Sequence, residues 1–401
     1  MIHKLRQLLS AIAYCFTERK NMEEKKIGPI RVVLFIISLG LAIYFMARGV
    51  YKLTNQEPGY YDLEATADKE TATYASGITC TYLFEGSSNE IKRDKRAAEE
   101  CYSGALLRLY KLTDGDTEYE GFTNIATINK NIGSDISVND ELYAILEDAY
   151  RKTSLGQDYS VFAGSYYDHW NSILTLDDAQ NFDPLLNSEE AQRIENLRKQ
   201  VTDSTNFKLV FKGNNTVCLE VSDSYLEYIK ENEESAKILD LNVLREAYMI
   251  KYVKESMAQK GYIKGRITTD LGLYLDLGDY GTGGYTPAKV AGGELLFSDP
   301  VAIGKDECMS GITALSLKED ADCYYTVSKD STIYYRNPFV TLKEGGFVNY
   351  IGSSYVKSGV GGNIVDVMYQ NIILNAASDK AEVDGYLQEK GPFERLAFEI
   401  K

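Results

Sequence analysis

The residues from Val32 to Ala47, VVLFIISLGLAIYFMA, form a run of sixteen without a charge, bracketed by Arg31 and Arg48. Long basic stems at its two ends can lie along acyl chains and carry their guanidinium groups to the headgroups. A membrane span needs about 20 residues at about 1.5 Å each. The segment from Ile30 to Tyr51 meets that length, and no other stretch approaches its apolarity. A single-pass membrane protein is therefore expected. Seven basic residues (Lys4, Arg6, Arg19, Lys20, Lys25, Lys26, Arg31) precede the run against three acidic ones (Glu18, Glu23, Glu24), and acid-rich sequence follows Arg48 and Lys52. Positive charge stays inside, which places the N-terminus in the cytoplasm and the remainder outside. A cleaved signal peptide would need a small-x-small site after the run, where Phe45, Met46 and Arg48 stand instead.

The expected organisation is a cytoplasmic basic segment over 1–29, a transmembrane helix over 30–51, a polar stalk over 52–75 and a folded extracytoplasmic domain over 76–401. Residues 1–16 carry Ile2, Leu5, Leu8, Leu9, Ile12 and Phe16 at helical spacing and fit the inner leaflet; a disordered tail and a start at Met22 are the other readings. Beyond residue 53 the chain holds 34 basic and 56 acidic residues, a net charge near -22. Such a surface repels phosphate backbones, which argues against nucleic acid as a partner. Five cysteines lie in this part, none at the spacing of a zinc site, and Cys308 with Cys323 is a candidate disulfide.

Periodicity places a strand at 78–85 and amphipathic helices at 92–110, 138–152 and 188–201, with Asn139 as the cap of the second. Alternating runs at 207–211 and 217–221 flank Lys212, Gly213, Asn214 and Asn215, a hairpin pattern. A helix over 241–259 has two apolar stripes. Strands follow at 263–269, 273–277 and 294–297, the last two separated by a glycine-rich loop over 278–293, and a second such loop, SGVGG at 358–362, leads into an apolar helix over 363–374. Helices and strands mix without a regular βαβ repeat, so the fold class is α+β.

The outer part has a single histidine, His169, and lacks a GxSxG elbow, which excludes a multi-histidine metal site and leaves little for a hydrolase triad. The SGVGG loop before a helix offers backbone N–H groups to an anion, and Asp366 in the first turn could hold a divalent cation beside a phosphate. The same residues also read as a plain turn with a first-turn acid favoured by the helix dipole.

Taken in order, the segments over roughly residues 76–400 resemble the ApbE family of FAD:protein FMN transferases. ITCTYLFE looks like the family's opening strand. INKNIGSDISVNDELYAILEDAYRKT resembles its asparagine, loop and helix, with Asn129 at the asparagine, and GQDYSVFAGSYYDHW resembles its aromatic segment, with Tyr159 near the aromatic and Trp170 at the tryptophan. KILDLNVLREAYMIKYV is similar to DLGGIAKGYAVD, keeping Asp240, Leu241 and Tyr248; TTDLGLYL is similar to NLGGD, keeping Gly272. GGELLFSDP matches a strand ending in Asp299 and Pro300, YYRNP looks like HIxDP and keeps Pro338, and NIVDVMYQ looks like ADALSTA, putting Asp366 at the metal aspartate. The resemblance implies a mixed two-lobed domain that binds FAD and a divalent cation, usually magnesium, and moves FMN to a threonine or serine of a partner redox protein. It assigns Asn129, Tyr159, Asp240, Tyr248, Gly272 and Pro338 to cofactor binding and Asp366 to the metal.

Several motif positions differ. The motif lysine is Glu246 and its following glycine Ala247; the end of NLGGD is Leu273 and Tyr274; the histidine is Tyr334 and the metal threonine Gln370. Glu246 reverses a charge that would face a flavin pyrophosphate. Three readings follow: an ApbE-like binding or scaffolding module of a membrane-associated assembly, with an extracytoplasmic protein as partner; an active flavin transferase; and an unrelated surface interaction protein.

Overall fold

The apolar run folds into helix α1, Pro29–Thr54, 26 residues long. Proline suits the first helical position, where its missing N–H has no partner to lose. The computed structural model describes residues 29–400 except 55, 156–157, 281–282, 292–293, 317–322 and 345–349, with only the backbone at 29–32 and 50–54. Side chains 33–49 of α1 are all exposed. Among the described residues no helix is long and apolar enough to cross a membrane. The expected span over 30–51 lies partly outside the described side chains, and the basic segment 1–28 lies wholly outside the described residues.

The rest of the chain, 58–86 and 90–401, forms one compact unit. Its first strand, β1 (Gly59–Asp62), falls inside the expected stalk and pairs antiparallel with β2 (Ile78–Phe84). Leu63 and Tyr74 are buried beyond it, and the Tyr74 hydroxyl donates to the Thr66 carbonyl at 2.7 Å. Tyrosines among the polar residues of this segment thus find a sheet edge and a core, a partnership that local polarity does not register.

Next come α2 (Ser88–Thr113), α3 (Ile125–Lys130), β3 (Ile136–Ser137), α4 (Asp140–Thr153), α5 (Gly164–Leu174) and α6 (Ser188–Thr202). The hairpin forms as β4 (Phe207–Lys212) and β5 (Thr216–Val221), and Asn214 and Asn215 take φ of 60° and 54° at its turn. Asparagine tolerates this left-handed region better than most residues. Helix α7 (Asp223–Glu231) precedes α8 (Leu244–Gln259). The latter begins later than its apolar pattern predicts, because Asn242 has φ 47° and its N–H donates to the Asp240 carboxylate at 2.6 Å.

Strands β6 (Gly265–Thr269) and β7 (Leu273–Asp276) follow, then β8 (Gly283–Tyr285), β9 (Ala288–Ala291), β10 (Glu294–Phe297), β11 (Val301–Ile303) and β12 (Cys308–Thr313). The glycine-rich loop expected over 278–293 therefore contains two short strands, which pair with β11 and β10. The chain ends in β13 (Tyr325–Lys329), β14 (Thr332–Arg336), β15 (Ile351–Ser358), α9 (Ile364–Asn375), α10 (Lys380–Gln388) and β16 (Phe393–Glu399).

The main sheet is antiparallel throughout, ordered β1-β2-β6-β7-β12-β15-β16, and a smaller sheet is ordered β3-β5-β4. Helix α9 lies against β12, β15 and α8 and is buried around most of its circumference, through Val365, Val367, Met368, Ile372 and Leu374. Leu209 and Leu219 of the small sheet share one apolar core with Leu244, Ile267 and Val356. The α+β class is observed, and the two expected lobes are parts of that single core. Cys308 and Cys323 are not joined in the expected disulfide; Cys308 is buried in β12 with its Sγ 3.0 Å from the Ser358 hydroxyl.

Candidate functional site

Helix α4 supplies the first half of the site. Asn139 caps it by accepting from the Leu142 N–H, its first turn carries Asp140 and Glu141, and its buried stripe runs Leu142, Leu146, Ala149, Lys152. The stripe thus ends on a lysine. The Lys152 side chain is 1% exposed, and an isolated buried ammonium is strongly unfavourable unless paired. Its partners are Asp148, one turn back, at 2.9 and 3.1 Å, and Asp366 of α9 at 2.5 Å. The opposite face of the ammonium meets the Tyr369 ring, 5.7 Å from its centroid, and the Tyr369 hydroxyl donates to the Lys152 carbonyl at 3.0 Å.

Tyr248 of α8 completes the cluster by donating to Asp148 Oδ2 at 2.7 Å, and Arg151 adds a further donor to Asp148. Desolvation raises the Asp148 carboxyl, but Lys152, Tyr248 and Arg151 together outweigh it and hold the group below its ordinary value. Burial, reinforced by Asp148, pushes the Tyr248 hydroxyl far upward, so it stays a donor. Beside the cluster lies a cleft of about 480 Å³ lined by Asp140, Glu141, Asp148, Tyr248, Glu255 and Asn363 among others.

Asp366 sits in the first turn of α9, behind Asn363, whose side-chain oxygen accepts from the Val365 N–H and whose Nδ2 donates to Asp366 Oδ2 at 3.1 Å. In the preceding loop Gly361 N–H bonds the Asp306 carbonyl and Gly362 N–H the Gly359 carbonyl. The plain turn, one of the two readings of SGVGG, describes these bonds. A divalent cation does not fit between Asp148 and Asp366 while the Lys152 ammonium lies there. Gln370, in place of the metal threonine, accepts from Arg395 at 2.8 Å, and among the described residues no group of three His, Cys, Asp or Glu could hold a metal.

The remaining sequence-derived residues fall into separate places. Asn129 pins the 239 peptide on both sides, accepting from Leu239 N–H at 2.8 Å and donating to Leu239 O at 3.0 Å. Asp240 follows, with its carboxyl raised by desolvation in spite of Lys237, and the Tyr159 hydroxyl reaches Leu241 O at 3.5 Å. Asn129, Tyr159 and Asp240 therefore share one backbone segment. Gly272 stands elsewhere, at the β6–β7 turn, with φ +86°; a Cβ there would fall 2.0 Å from the Gly311 carbonyl oxygen. Pro338 follows Arg336 and Asn337: the guanidinium of Arg336 forms a buried two-pronged bond with Asp183 at 2.6 and 3.1 Å, and Asn337 O accepts from Trp170 Nε1 at 3.0 Å.

Glu246, which the resemblance puts at the motif lysine, lies within electrostatic reach of Thr269 and Asp270. Its Oε1 is shut from solvent with no hydrogen-bond partner among the described residues. Desolvation, with Asp270 adding repulsion and Thr269 opposing, lifts its carboxyl to about 7. A carboxyl in that setting does not fit the pyrophosphate of a flavin dinucleotide.

No family model matches the sequence, and no curated protein matches it. Solved structures do. The ApbE protein of Thermotoga maritima superposes with a TM-score of 0.56 at 13% identity, covering 85% of this chain and 94% of that one. The chain has an ApbE-like fold. The flavin transferase ApbE of Vibrio cholerae gives a TM-score of 0.50 at 10% identity, with 85% and 97% covered, and the flavinyl transferase ApbE of Pseudomonas stutzeri gives 0.51 at 10%, with 86% and 96%. ApbE-like architecture is thus shared at 10–13% identity. Asp148 and Lys152 escaped the motif reading, although a lysine on the apolar stripe of α4 was a visible request for a buried counter-ion.

Proposed function

We propose that this protein is an ApbE-like domain tethered outside the cytoplasm by α1, serving as a non-catalytic binding or scaffolding module of a membrane-associated assembly. One observation carries this reading: where flavin chemistry needs a cation facing the pyrophosphate, the chain presents Glu246, with a carboxylate oxygen that has no partner among the described residues. An anionic dinucleotide gains little there, and the surplus of acid over base in the outer part works against it too. Exposure of every described side chain of α1 and the charges flanking it support the tether.

Full-length protein purified in detergent is expected to show no flavin absorbance and no magnesium-dependent FAD hydrolysis. A yellow preparation that transfers FMN to a threonine-bearing partner would establish the second reading, an active flavin transferase, which the fold itself and the cleft beside Tyr248 favour. For the topology, protease added to intact cells should digest the domain; complete protection would place it inside.

A further inference from the structure

We infer that the Lys152 ammonium is a built-in replacement for the divalent cation, closing the centre at Asp366 with a charge from the chain itself. The inference rests on the ApbE-like reading, which puts Asp366 at the metal position, and goes beyond it in naming what stands there instead.

The charge count is the first support. Asp148 and Asp366 bring two negative charges, and Lys152 and Arg151 return two positive ones, so the cluster is neutral without a metal. Donor geometry is the second. An ammonium has three N–H donors, and three carboxylate oxygens surround it: Asp148 Oδ1 at 3.1 Å, Asp148 Oδ2 at 2.9 Å and Asp366 Oδ1 at 2.5 Å. The remaining oxygen, Asp366 Oδ2, accepts from Asn363. Each member of the centre is therefore satisfied within the protein.

Closure is the third support. A metal that serves phosphoryl chemistry keeps positions open for water and phosphate oxygens. Lys152 has none to offer: its side chain is 1% exposed, with the Tyr369 ring across its free face. An approaching cation would be repelled by the ammonium at short range, and a phosphate would find the ammonium spent. The lysine neutralises the carboxylates without recreating the function of a metal.

The test uses full-length protein in detergent, thermal unfolding, and Mn2+ binding read by electron paramagnetic resonance. Wild type should bind no Mn2+ and its Tm should not respond to millimolar Mn2+ or Mg2+. Lys152→Ala removes the ammonium and leaves two carboxylates facing a vacated space; its Tm should fall by ~5 °C or more, Mn2+ should restore part of that loss, and one Mn2+ should bind. Adding Asp366→Asn to Lys152→Ala should abolish both gains. If Lys152→Ala does not fold, Lys152→Gln carries the same readouts. Stoichiometric Mn2+ on wild type that is lost in Asp366→Asn would overturn the inference, as would a folded lysine variant that gains no Mn2+ affinity. Flavin transfer to a partner, with these Mn2+ results intact, would remove the binding-module reading and leave this inference standing; Mn2+ on wild type without flavin transfer would do the reverse.

Discussion

Asp366 and Glu246 are two carboxylates to which the motif resemblance draws attention, and the chain disposes of their charge in opposite ways. At Asp366 a lysine is brought in from another helix, and each carboxylate oxygen finds a donor. At Glu246 no cation among the described residues forms an ion pair, and burial, with Asp270 adding repulsion, raises the carboxyl until protonation becomes the route to neutrality. The first centre gains stability from electrostatics at neutral pH, whereas the second loses it. The fate of a carboxylate is thus set by what packs against it.

Breaking the contrast begins with Lys152. Lys152→Met without added metal leaves Asp148 and Asp366 facing each other with an apolar neighbour, and should cost about 3 kcal/mol, the low end for a buried pair that loses one partner, because the two carboxylates are partly open to water; urea unfolding would measure it. A loss within experimental error would mean that water already serves the two carboxylates.

Glu246→Gln should act in the other direction and only over part of the pH range. The folded-state value of about 7 lies above the ordinary 4.5, so between these values the folded protein holds a proton that the unfolded chain has released. Stability contributed by the protonated acid is present in full below pH 4.5, falls as pH rises, and is gone above 7. Glutamine should abolish that slope, leaving the variant equal to wild type near pH 4 and more stable at pH 8 by ~3 kcal/mol or less. Parallel stability curves for the two proteins would contradict the assignment.

The smallest effect sharpens the first centre. Asn363→Ala removes the cap on Val365 N–H and one donor to Asp366, for about 1 kcal/mol. Amide exchange should quicken in the first turn of α9 and remain unchanged in the distant hairpin of β4 and β5.

Local signals carried much of the fold. The asparagine pair in the turn between β4 and β5 and Asn139 before α4 act on backbone groups within a few residues, and each was legible for that reason. β1 was not, since its hydrogen bonds depend on β2 and nothing in 59–62 announces that partner. The site divides along the same line. Asp366 and Tyr248 were marked by the resemblance to the ApbE motifs, but the ion pair from Lys152 to Asp366 spans 214 positions, beyond any periodicity. Glu246 was legible as a reversed charge; the height of its titration came only with burial.

The strand order of the main sheet has a consequence for how such a chain reaches its structure. Reading across the sheet from β1 to β16, sequence position only increases. Each strand can therefore dock onto the free edge left by its predecessor, and none has to be threaded between two that are already joined. A chain delivered N-terminus first, as from a ribosome or a translocation pore, can build this sheet by accretion, with β16 added last as the second edge strand.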